Sequence, residues 1–207
     1  MVITISRQYG AGGSEVARRV AAAIGWSLVD NELVERVAER AGIPAAEVAE
    51  RDERAPGFVE RLTRTLAAAT PDLFPPPGGT VADLDEASLV RITEGVVGEM
   101  AGRGRVVLVG RAAPAVLAQQ EDSLHVKLVA SRAFRIHAAS QRLGMDPAEV
   151  VKIVDDTDAM RARYHREYYH RDWADPLNYH MVLNTGALGL SGAAAIIVGR
   201  AQSLGWV

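Results

Sequence analysis

The sequence predicts an α/β sandwich, in which helices cover both faces of a parallel sheet of about five strands. Three observations favour this fold class. Short runs rich in β-branched residues alternate along the chain with longer stretches of helical pattern. One run, Val106-Val107-Leu108-Val109, is apolar throughout, which is typical of a strand buried on both faces. The 207 residues are 48% hydrophobic and 24% charged, which predicts one domain with a sizeable core and excludes a disordered chain.

The predicted strands are short runs of β-branched and aliphatic residues bounded by glycine or polar residues. In chain order they are residues 2–6, 27–30, 105–110, 124–130 and 179–184. The predicted helices carry apolar residues at three- and four-residue spacing. They are residues 14–24, 31–41, 86–101, 112–119, 131–143, 146–169 and 191–203. Right-handed crossovers place the loops that follow the strands on one edge of such a sheet, where ligands bind.

Residues 44–85 do not follow this alternation. They read as helical pieces interrupted by Pro56-Gly57 and by a proline-rich segment at 71–79, because consecutive prolines cannot continue a helix or a central strand. We therefore expect a surface loop or a flexible lobe here, and as the fold we expect a small helical lobe inserted after the second strand. Its apolar positions either form a dimer surface or pack on their own domain; they include Phe58, Leu62 and Leu66.

A second unusual region, residues 146–175, reads as a charge-rich helix that ends in basic and aromatic residues. Asp146 and Pro147 give the helix a capped start. We expect the run Asp155-Asp156-Thr157-Asp158 to face solvent and to pair with arginines such as Arg161, with cation binding as the alternative. The basic and aromatic cluster favours a lid or a solvated helix face over a nucleic-acid surface, because the whole chain is acidic.

Charge and composition exclude several classes of function. The net charge is −3, so attraction of the whole protein to nucleic acid or to an anionic membrane is not expected, and any bound anion requires a local site. The absence of cysteine excludes disulfides, thiolate metal sites and cysteine nucleophiles. Arg7 and Gln8 come too early for a signal peptide, and no apolar run approaches the ~18 residues of a membrane span. We expect a cytoplasmic protein.

A glycine-rich segment joins the first predicted strand to the first predicted helix and reads Gly10-Ala11-Gly12-Gly13-Ser14. Glycines at such a junction let the backbone approach a phosphate closely and direct several N–H groups at it, while the helix N-terminus adds partial positive charge. Ser14 can both begin the helix and ligate Mg²⁺. A tight turn without a ligand is the alternative.

Two known phosphate-binding patterns fit this segment in part. The dinucleotide pattern G-x-G-x-x-G matches at Gly10 and Gly12 and finds Asp30 about 20 residues downstream, but Glu15 replaces its third glycine.

The P-loop pattern G-x-x-x-x-G-K-[ST] matches at Gly12 and Ser14. Arg7 stands in place of its first glycine and Gly13 in place of its lysine. The residues of the turn alone leave both patterns open.

A second strand-to-helix junction carries the sequence Gly110-Arg111-Ala112-Ala113. An arginine at this place has its guanidinium near the carboxyl edge of the sheet, where it is suited to bidentate capture of a phosphate. A surface arginine in a salt bridge is the alternative.

Taken in order, these motifs span nearly the whole chain. They are Gly10-Ala11-Gly12, Val109-Gly110-Arg111, Lys127-Leu128-Val129-Ala130-Ser131 followed by Arg135, and an arginine-bearing helix leading to Asn184-Thr185. The succession resembles bacterial cytidylate kinase and is most similar to its divergent cytidylate kinase-like branch. The resemblance implies a three-layer α/β/α domain of the P-loop NTPase type over residues 1–207, with an acceptor-binding lobe at about 31–85 and a lid at about 155–175.

The resemblance also implies roles for single residues. The segment from Gly10 through Ala11, Gly12 and Gly13 to Ser14 would hold the phosphates of ATP, and Ser14 would ligate Mg²⁺. Arg111 would hold the acceptor's phosphate, and Asp30 would contact the acceptor sugar or base. Arg135 would lie near the ATP base. Arg161 and Arg163 would close on the transferring phosphoryl group.

The sequence departs from the family pattern at three positions. Gly13 replaces the P-loop lysine, and Val109 and Ala112 replace acidic residues on either side of the Gly-Arg junction. The divergent branch shares the glycine in place of lysine. Our hypothesis is that Arg7 supplies the missing charge by reaching across the turn and that Asp30 supplies a carboxylate.

The expected activity is ATP- and Mg²⁺-dependent phosphoryl transfer to a nucleoside monophosphate, with CMP or dCMP as the acceptor. The alternative is a nucleotide-binding protein of the same fold that has lost catalysis and regulates through its bound state. A dinucleotide-dependent oxidoreductase is a third reading, which Glu15 disfavours. The expected partners are small nucleotides, neither nucleic acid nor membrane, and a homodimer is compatible with the sequence.

Overall fold

The structure is a computed structural model that describes residues 1–30, 40 and 86–207. Within that part of the chain the strands are β1 (Val2–Arg7), β2 (Ser27–Val29), β3 (Val106–Val109), β4 (Ser123–Val129) and β5 (Met181–Asn184). The α-helices are α1 (Gly13–Ile24), α2 (Glu86–Gly102), α3 (Ala113–Val116), α4 (Arg132–Leu143), α5 (Pro147–Tyr169) and α6 (Thr185–Ser203). The predicted lobe at about 31–85, with its proline-rich segment and its candidate dimer residues, lies outside the described residues apart from residue 40.

The five strands form one sheet in the order β2-β3-β1-β4-β5, and every pairing is parallel. This arrangement confirms the predicted fold class. β1 is central, and Ile5 on β1 lies opposite Val109 on β3. The loops that follow β1 and β3 therefore leave the same edge of the sheet side by side, as expected at the point where strand order reverses.

The alternation of side chains along β1 separates two cores. Ile3 and Ile5 are fully buried against α1 and α6 on one face of the sheet. Val2 packs on the other face with α2, in a cluster that includes Met100 and Leu108. Among the described residues, no helix has both the length and the apolar character that crossing a membrane requires.

The second face of the sheet is polar between β1 and β4. Thr4 and His125 lie opposite each other and share a hydrogen bond of 2.8 Å between Oγ1 and Nδ1. Burial lowers the pKa of His125 to about 4, so its ring is neutral at pH 7. Ser6 and Lys127 form the next pair toward the carboxyl edge.

Two of the described helices differ from their predicted bounds by more than one residue. The helix predicted at 112–119 is the single turn of α3, and Ala112 lies outside it because its φ of 49° is left-handed. The helix predicted at 191–203 extends back to Thr185, where the Asn184 side chain accepts from the amides of Gly186 and Ala187. Gly189 breaks α6 with a φ of 68°, so the predicted bounds cover only the segment after the kink.

Candidate functional site

The turn between β1 and α1 requires glycine at two positions. Gly10 and Gly12 have φ values of 81° and 77°, which side-chain-bearing residues rarely adopt. A Cβ added at Gly10 would lie 3.0 Å from the Cα of Arg135, and one added at Gly12 would overlap the side chain of Leu190. In the described part of the chain no side chain caps α1, so the amides of its first turn are left for a ligand.

This turn forms one wall of an open cleft of about 510 Å³, a size that fits a small-molecule ligand. Four arginines line the cleft: Arg7, Arg18, Arg142 and Arg161. Glu15 is the one carboxylate among the described lining residues, and its bonds to Arg18 and Arg19 hold the pKa of that carboxyl below its usual range. Backbone amides, a helix N-terminus and an excess of positive charge all favour a polyanion here.

Arg7 crosses the turn over Gly13. A Cβ added at Gly13 would lie 2.6 Å from the Cγ of Arg7, so the arginine stem fills the space that a side chain at position 13 would need. The guanidinium ends against Gly110, where an added Cβ would lie 3.1 Å from Cζ of Arg7. A lysine at position 13 and the observed path of Arg7 are therefore mutually exclusive.

Helix α5 holds the backbone of the turn at two points. The Nη1 of Arg161 donates to the carbonyl of Arg7 at 2.8 Å, and the amide of Tyr9 donates to Oδ1 of Asp158 at 2.8 Å. Oδ2 of Asp158 accepts from Nη1 of Arg135 at 2.6 Å, and the same nitrogen donates to the carbonyl of Tyr9 at 3.2 Å. Burial raises the pKa of Asp158, which the Tyr9 amide and Arg135 oppose. The conformation of the turn thus depends on contacts from α4 and α5.

The junction after β3 is strained. Gly110, Arg111 and Ala112 have consecutive φ values of 77°, 54° and 49°. A left-handed conformation costs a non-glycine residue about 1–2 kcal/mol, and such strain is concentrated at functional sites. Arg111 is 8% exposed and lines a small pocket of about 30 Å³ beside the cleft.

Three arginines converge on this small pocket, because Arg7, Arg111 and Arg161 all line it. The other described lining residues are Ser6, Gly110, Ala112, Pro114, Tyr164, His165 and Trp173. None of these described residues carries a carboxylate. Burial lowers the pKa of His165 to about 4, so His165 is neutral at pH 7. The pocket suits the anionic end of a ligand, and we call it the anion pocket.

Ala112→Gly is expected to raise the free energy of unfolding by about 0.5–1 kcal/mol, because glycine adopts the left-handed conformation without strain. The neighbouring Ala113→Gly is the control. Ala113 is fully buried and begins α3, so its replacement is expected to destabilise the protein. Urea denaturation measures both; a destabilised Ala112→Gly variant would contradict the strain argument.

The structure brings some of the predicted site residues together and leaves others apart. Arg7, Arg111 and Arg161 meet at the anion pocket. Arg163 lines neither cavity in the described residues and pairs instead with Glu167 at 2.7 Å on an exposed surface. Asp30 follows β2 at the same sheet edge and also lines neither of these two cavities.

Arg135 is placed behind the turn, 7% exposed, and not on the wall of the cleft. Arg142, two turns later on α4, is the residue of this helix that lines the cleft. Its guanidinium lies 4.8 Å from the ring centroid of Tyr9, which also lines the cleft. The seven-residue interval from Arg135 to Arg142 is the sequence signal that could have indicated Arg142.

Asp158 is the other contributor that the sequence did not indicate. Its run was expected to face solvent, and Asp155 does pair with Arg132 on the surface. Asp158 instead turns inward, 15% exposed, toward Arg135 and Arg161. No group of three metal-ligating side chains occurs among the described residues.

Comparisons with solved structures agree with the observed fold. An uncharacterized protein from Eubacterium ventriosum has a similar solved structure, with a TM-score of 0.70 and 18% identity over 98% of this chain and 99% of that one. Shikimate kinase from Bacteroides thetaiotaomicron has a TM-score of 0.54 and 12% identity over 98% of each chain. Shikimate kinase from Acinetobacter baumannii, solved with shikimate, has a TM-score of 0.50 and 14% identity over 98% of this chain and 90% of that one. A search of curated proteins gives no match.

The sheet order, the glycine-rich turn and these neighbours define the fold as that of a P-loop kinase. The chain belongs to the cytidylate kinase-like family, whose model matches residues 2–187. Membership of this family supports a nucleotide kinase-like function.

Proposed function

We propose that the protein transfers the γ-phosphoryl group of ATP to a nucleoside monophosphate, with CMP or dCMP as the acceptor. One observation carries the proposal: Arg7 and Arg161 line both the open cleft and the anion pocket. A donor in the cleft and an acceptor phosphate in the pocket would meet at these two guanidinium groups. Phosphoryl transfer needs positive charge at that place, because charge spreads over the equatorial oxygens in the transition state.

The cleft supplies the donor site in this proposal. The amides of Gly12, Gly13 and Ser14 would bind the β- and γ-phosphates, as helix N-termini do in phosphate sites. Arg142 and Tyr9 would flank the base, because a guanidinium plane and an aromatic ring both stack on nucleobases. In this proposal Arg142, and not Arg135 as the sequence predicted, lies near the base. Arg135 would hold the glycine-rich turn in position.

Mg²⁺ fits the site through Ser14. The Ser14 hydroxyl lines the cleft at the start of α1, beside the amides proposed to hold the phosphates. Mg²⁺ in kinases is bound by few protein groups and completes its shell with phosphate oxygens and water. When bound, it would neutralise charge on the β- and γ-phosphates.

The anion pocket supplies the acceptor site. Arg111 is held by the strained junction, and its guanidinium would bind the acceptor phosphate through two parallel N–H···O hydrogen bonds. An oxygen of that phosphate attacks the γ-phosphorus, the bond from the γ-phosphorus to the β-phosphate oxygen breaks, and ADP leaves. The acceptor phosphate is already ionised near pH 7, so a pocket whose described lining has no carboxylate can still perform the transfer, whereas a hydroxyl acceptor requires a base. The choice of CMP or dCMP is supported by the family alone.

A coupled assay that measures ADP formation tests this function. Wild-type protein with ATP and Mg²⁺ is offered CMP, dCMP, UMP, AMP and GMP in turn, with shikimate as a hydroxyl acceptor for comparison. We expect turnover with CMP or dCMP and none with shikimate. Turnover with shikimate alone would contradict the phosphate-acceptor proposal.

A regulatory nucleotide-binding protein of the same fold is the second candidate. The replacement of the P-loop lysine by Gly13 favours it, as do Val109 and Ala112 in place of acidic residues. Tight binding of ATP without ADP formation for any acceptor would support this candidate and overturn the enzymatic one.

A further inference from the structure

Lys127 is a buried cation on β4 to which the proposed reaction assigns no role. The chain has 23 Lys and Arg residues, of which two are lysines, Lys127 and Lys152. Lys127 is 4% exposed, whereas Lys152 lies on the exposed side of α5. Within the described residues no carboxylate lies within ion-pair distance of Lys127. A buried, unpaired ammonium is costly, so its surroundings are informative.

The contacts of the Lys127 ammonium are with neutral groups. Nζ donates to the carbonyl of Trp173, lies 3.9 Å from the centroid of the Trp173 ring and lies 5.1 Å from that of Tyr179. The Tyr179 hydroxyl donates to the same carbonyl at 3.0 Å. The charge is thus stabilised by a dipole and by two aromatic rings, but it is not neutralised.

The same contacts connect Lys127 to the anion pocket. Nε1 of Trp173 donates to Oγ of Ser6 at 2.9 Å, and Trp173, Ser6 and His165 all line the pocket. The charge of Lys127 contributes to the lowered pKa of His165, after burial and Arg171. Lys127 thus interacts with two residues that line the pocket, with Trp173 by a hydrogen bond and with His165 by electrostatic repulsion.

We propose that Lys127 is a positioning residue for the acceptor, whose buried charge strengthens binding of an anion beside Arg7, Arg111 and Arg161. This proposal rests on the proposed function, because it takes the anion pocket as the acceptor site. An anion there would supply the negative charge that the neutral contacts of Lys127 lack. Acceptor binding and protonation of Lys127 are then coupled, each favouring the other.

The coupling predicts a pH dependence with a definite sign. Burial lowers the pKa of Lys127 to about 8, against the attraction of Asp158 and Asp172. Among the described residues, the titratable groups around Lys127 are Asp158 and His165 on α5, Asp172 and Tyr179 after α5, and His125 on its own strand. His125 and His165 are neutral above pH 6.5 and Tyr179 has a raised pKa, so Lys127 is the group expected to titrate between pH 7 and 9.5. Acceptor affinity is expected to fall as pH rises through about 8.

Nuclear magnetic resonance of the wild-type protein tests the coupling directly. Protein labelled with ¹³C at the lysine Cε gives two signals, and the Lys152→Met variant assigns them. We expect the Lys127 signal to titrate near pH 8 and to move to higher pH when CMP is added, and in a separate arm when inorganic phosphate is added. Lys152 is expected to respond to neither. An unchanged Lys127 titration in saturating CMP would overturn the proposal.

Steady-state kinetics provide the second test. Lys127→Met is expected to raise the KM for the acceptor about fivefold at pH 7, with less than a twofold change in the KM for ATP, and to remove the rise in acceptor KM between pH 7 and 9.5. Lys152→Met serves as the matched control and is expected to behave as wild type. Equal weakening of both substrates by Lys127→Met would show a general structural role and overturn the proposal.

The two proposals fail in different ways. A response of Lys127 to CMP or phosphate without any ADP formation would support the anion pocket and contradict the kinase function. Turnover together with a Lys127 titration that does not change when the acceptor is added would support the kinase function and contradict the role of Lys127. The wild-type titration keeps the test valid if Lys127→Met does not fold.

Discussion

Replacing Arg7 with alanine is expected to lower kcat/KM for phosphoryl transfer by about a thousandfold, because mobile or fixed arginines at a transferring phosphoryl group contribute on that scale. Arg7 lies where the open cleft and the anion pocket meet, and Arg161 is the other described residue that lines both. The loss is expected mainly in kcat, since the charge acts on the transition state more than on either ground state. The ADP-coupled assay measures it with saturating and subsaturating CMP.

Three further variants separate charge from packing at this position. Arg7→Lys keeps the charge but not the planar fork, and is expected to recover part of the activity. Gly13→Lys alone is expected to be defective, because its Cβ would overlap the stem of Arg7. The double variant Arg7→Ala with Gly13→Lys removes that overlap and restores a lysine to the P-loop pattern. It is expected to be more active than Arg7→Ala, and equal or lower activity would contradict the idea that Arg7 replaces the missing lysine.

Replacing Asp158 with alanine is expected to lower the free energy of unfolding by about 3 kcal/mol, because it leaves Arg135 buried without its carboxylate partner. The same change removes the acceptor of the Tyr9 amide, so the glycine-rich turn loses one of its two attachments to α5. ATP affinity is therefore expected to fall together with stability. Thermal denaturation and calorimetric titration with an ATP analogue measure the two effects.

The helix offers a matched control for this prediction. Asp155 lies one turn earlier on α5 and also pairs with an arginine, Arg132, but the pair is exposed. Asp155→Ala is expected to leave stability and ATP affinity close to those of wild type. Asp158→Asn keeps an acceptor for the Tyr9 amide while removing the charge, so it is expected to bind ATP better than Asp158→Ala. Equal effects of Asp155→Ala and Asp158→Ala would contradict the positioning role of Asp158.

The fold was predictable because its signals are local. Apolar runs such as Val106–Val109 identify buried strands, and Asp146 with Pro147 marks the start of α5, whose side-chain cap the structure contains. The bounds of α3 were not predictable, because nothing in the residue types of Arg111 and Ala112 indicates a left-handed backbone. That conformation is imposed by the junction and not by local propensity.

The sequence predicts those residues of the candidate site that directly follow strands, but not the residues that hold the glycine-rich turn in place. Gly10, Gly12 and Arg111 follow strands, and parallel strands bring such positions to one edge. The pair of Arg135 and Asp158 joins residues from two helices that pack together, and no spacing rule relates residues 23 apart. The buried position of Lys127 was equally hidden, because a lysine within a strand ordinarily predicts an exposed face.

We propose above all that the backbone amides of the turn between β1 and α1 bind the phosphates of a nucleotide. The most direct measurement is an amide chemical-shift titration of ¹⁵N-labelled protein with a non-hydrolysable ATP analogue and Mg²⁺. We predict that the largest shifts occur at Gly10, Gly12, Gly13 and Ser14, and that they are lost in a Gly12→Val variant that remains folded. Saturable binding of the analogue with these amides unmoved would contradict the claim.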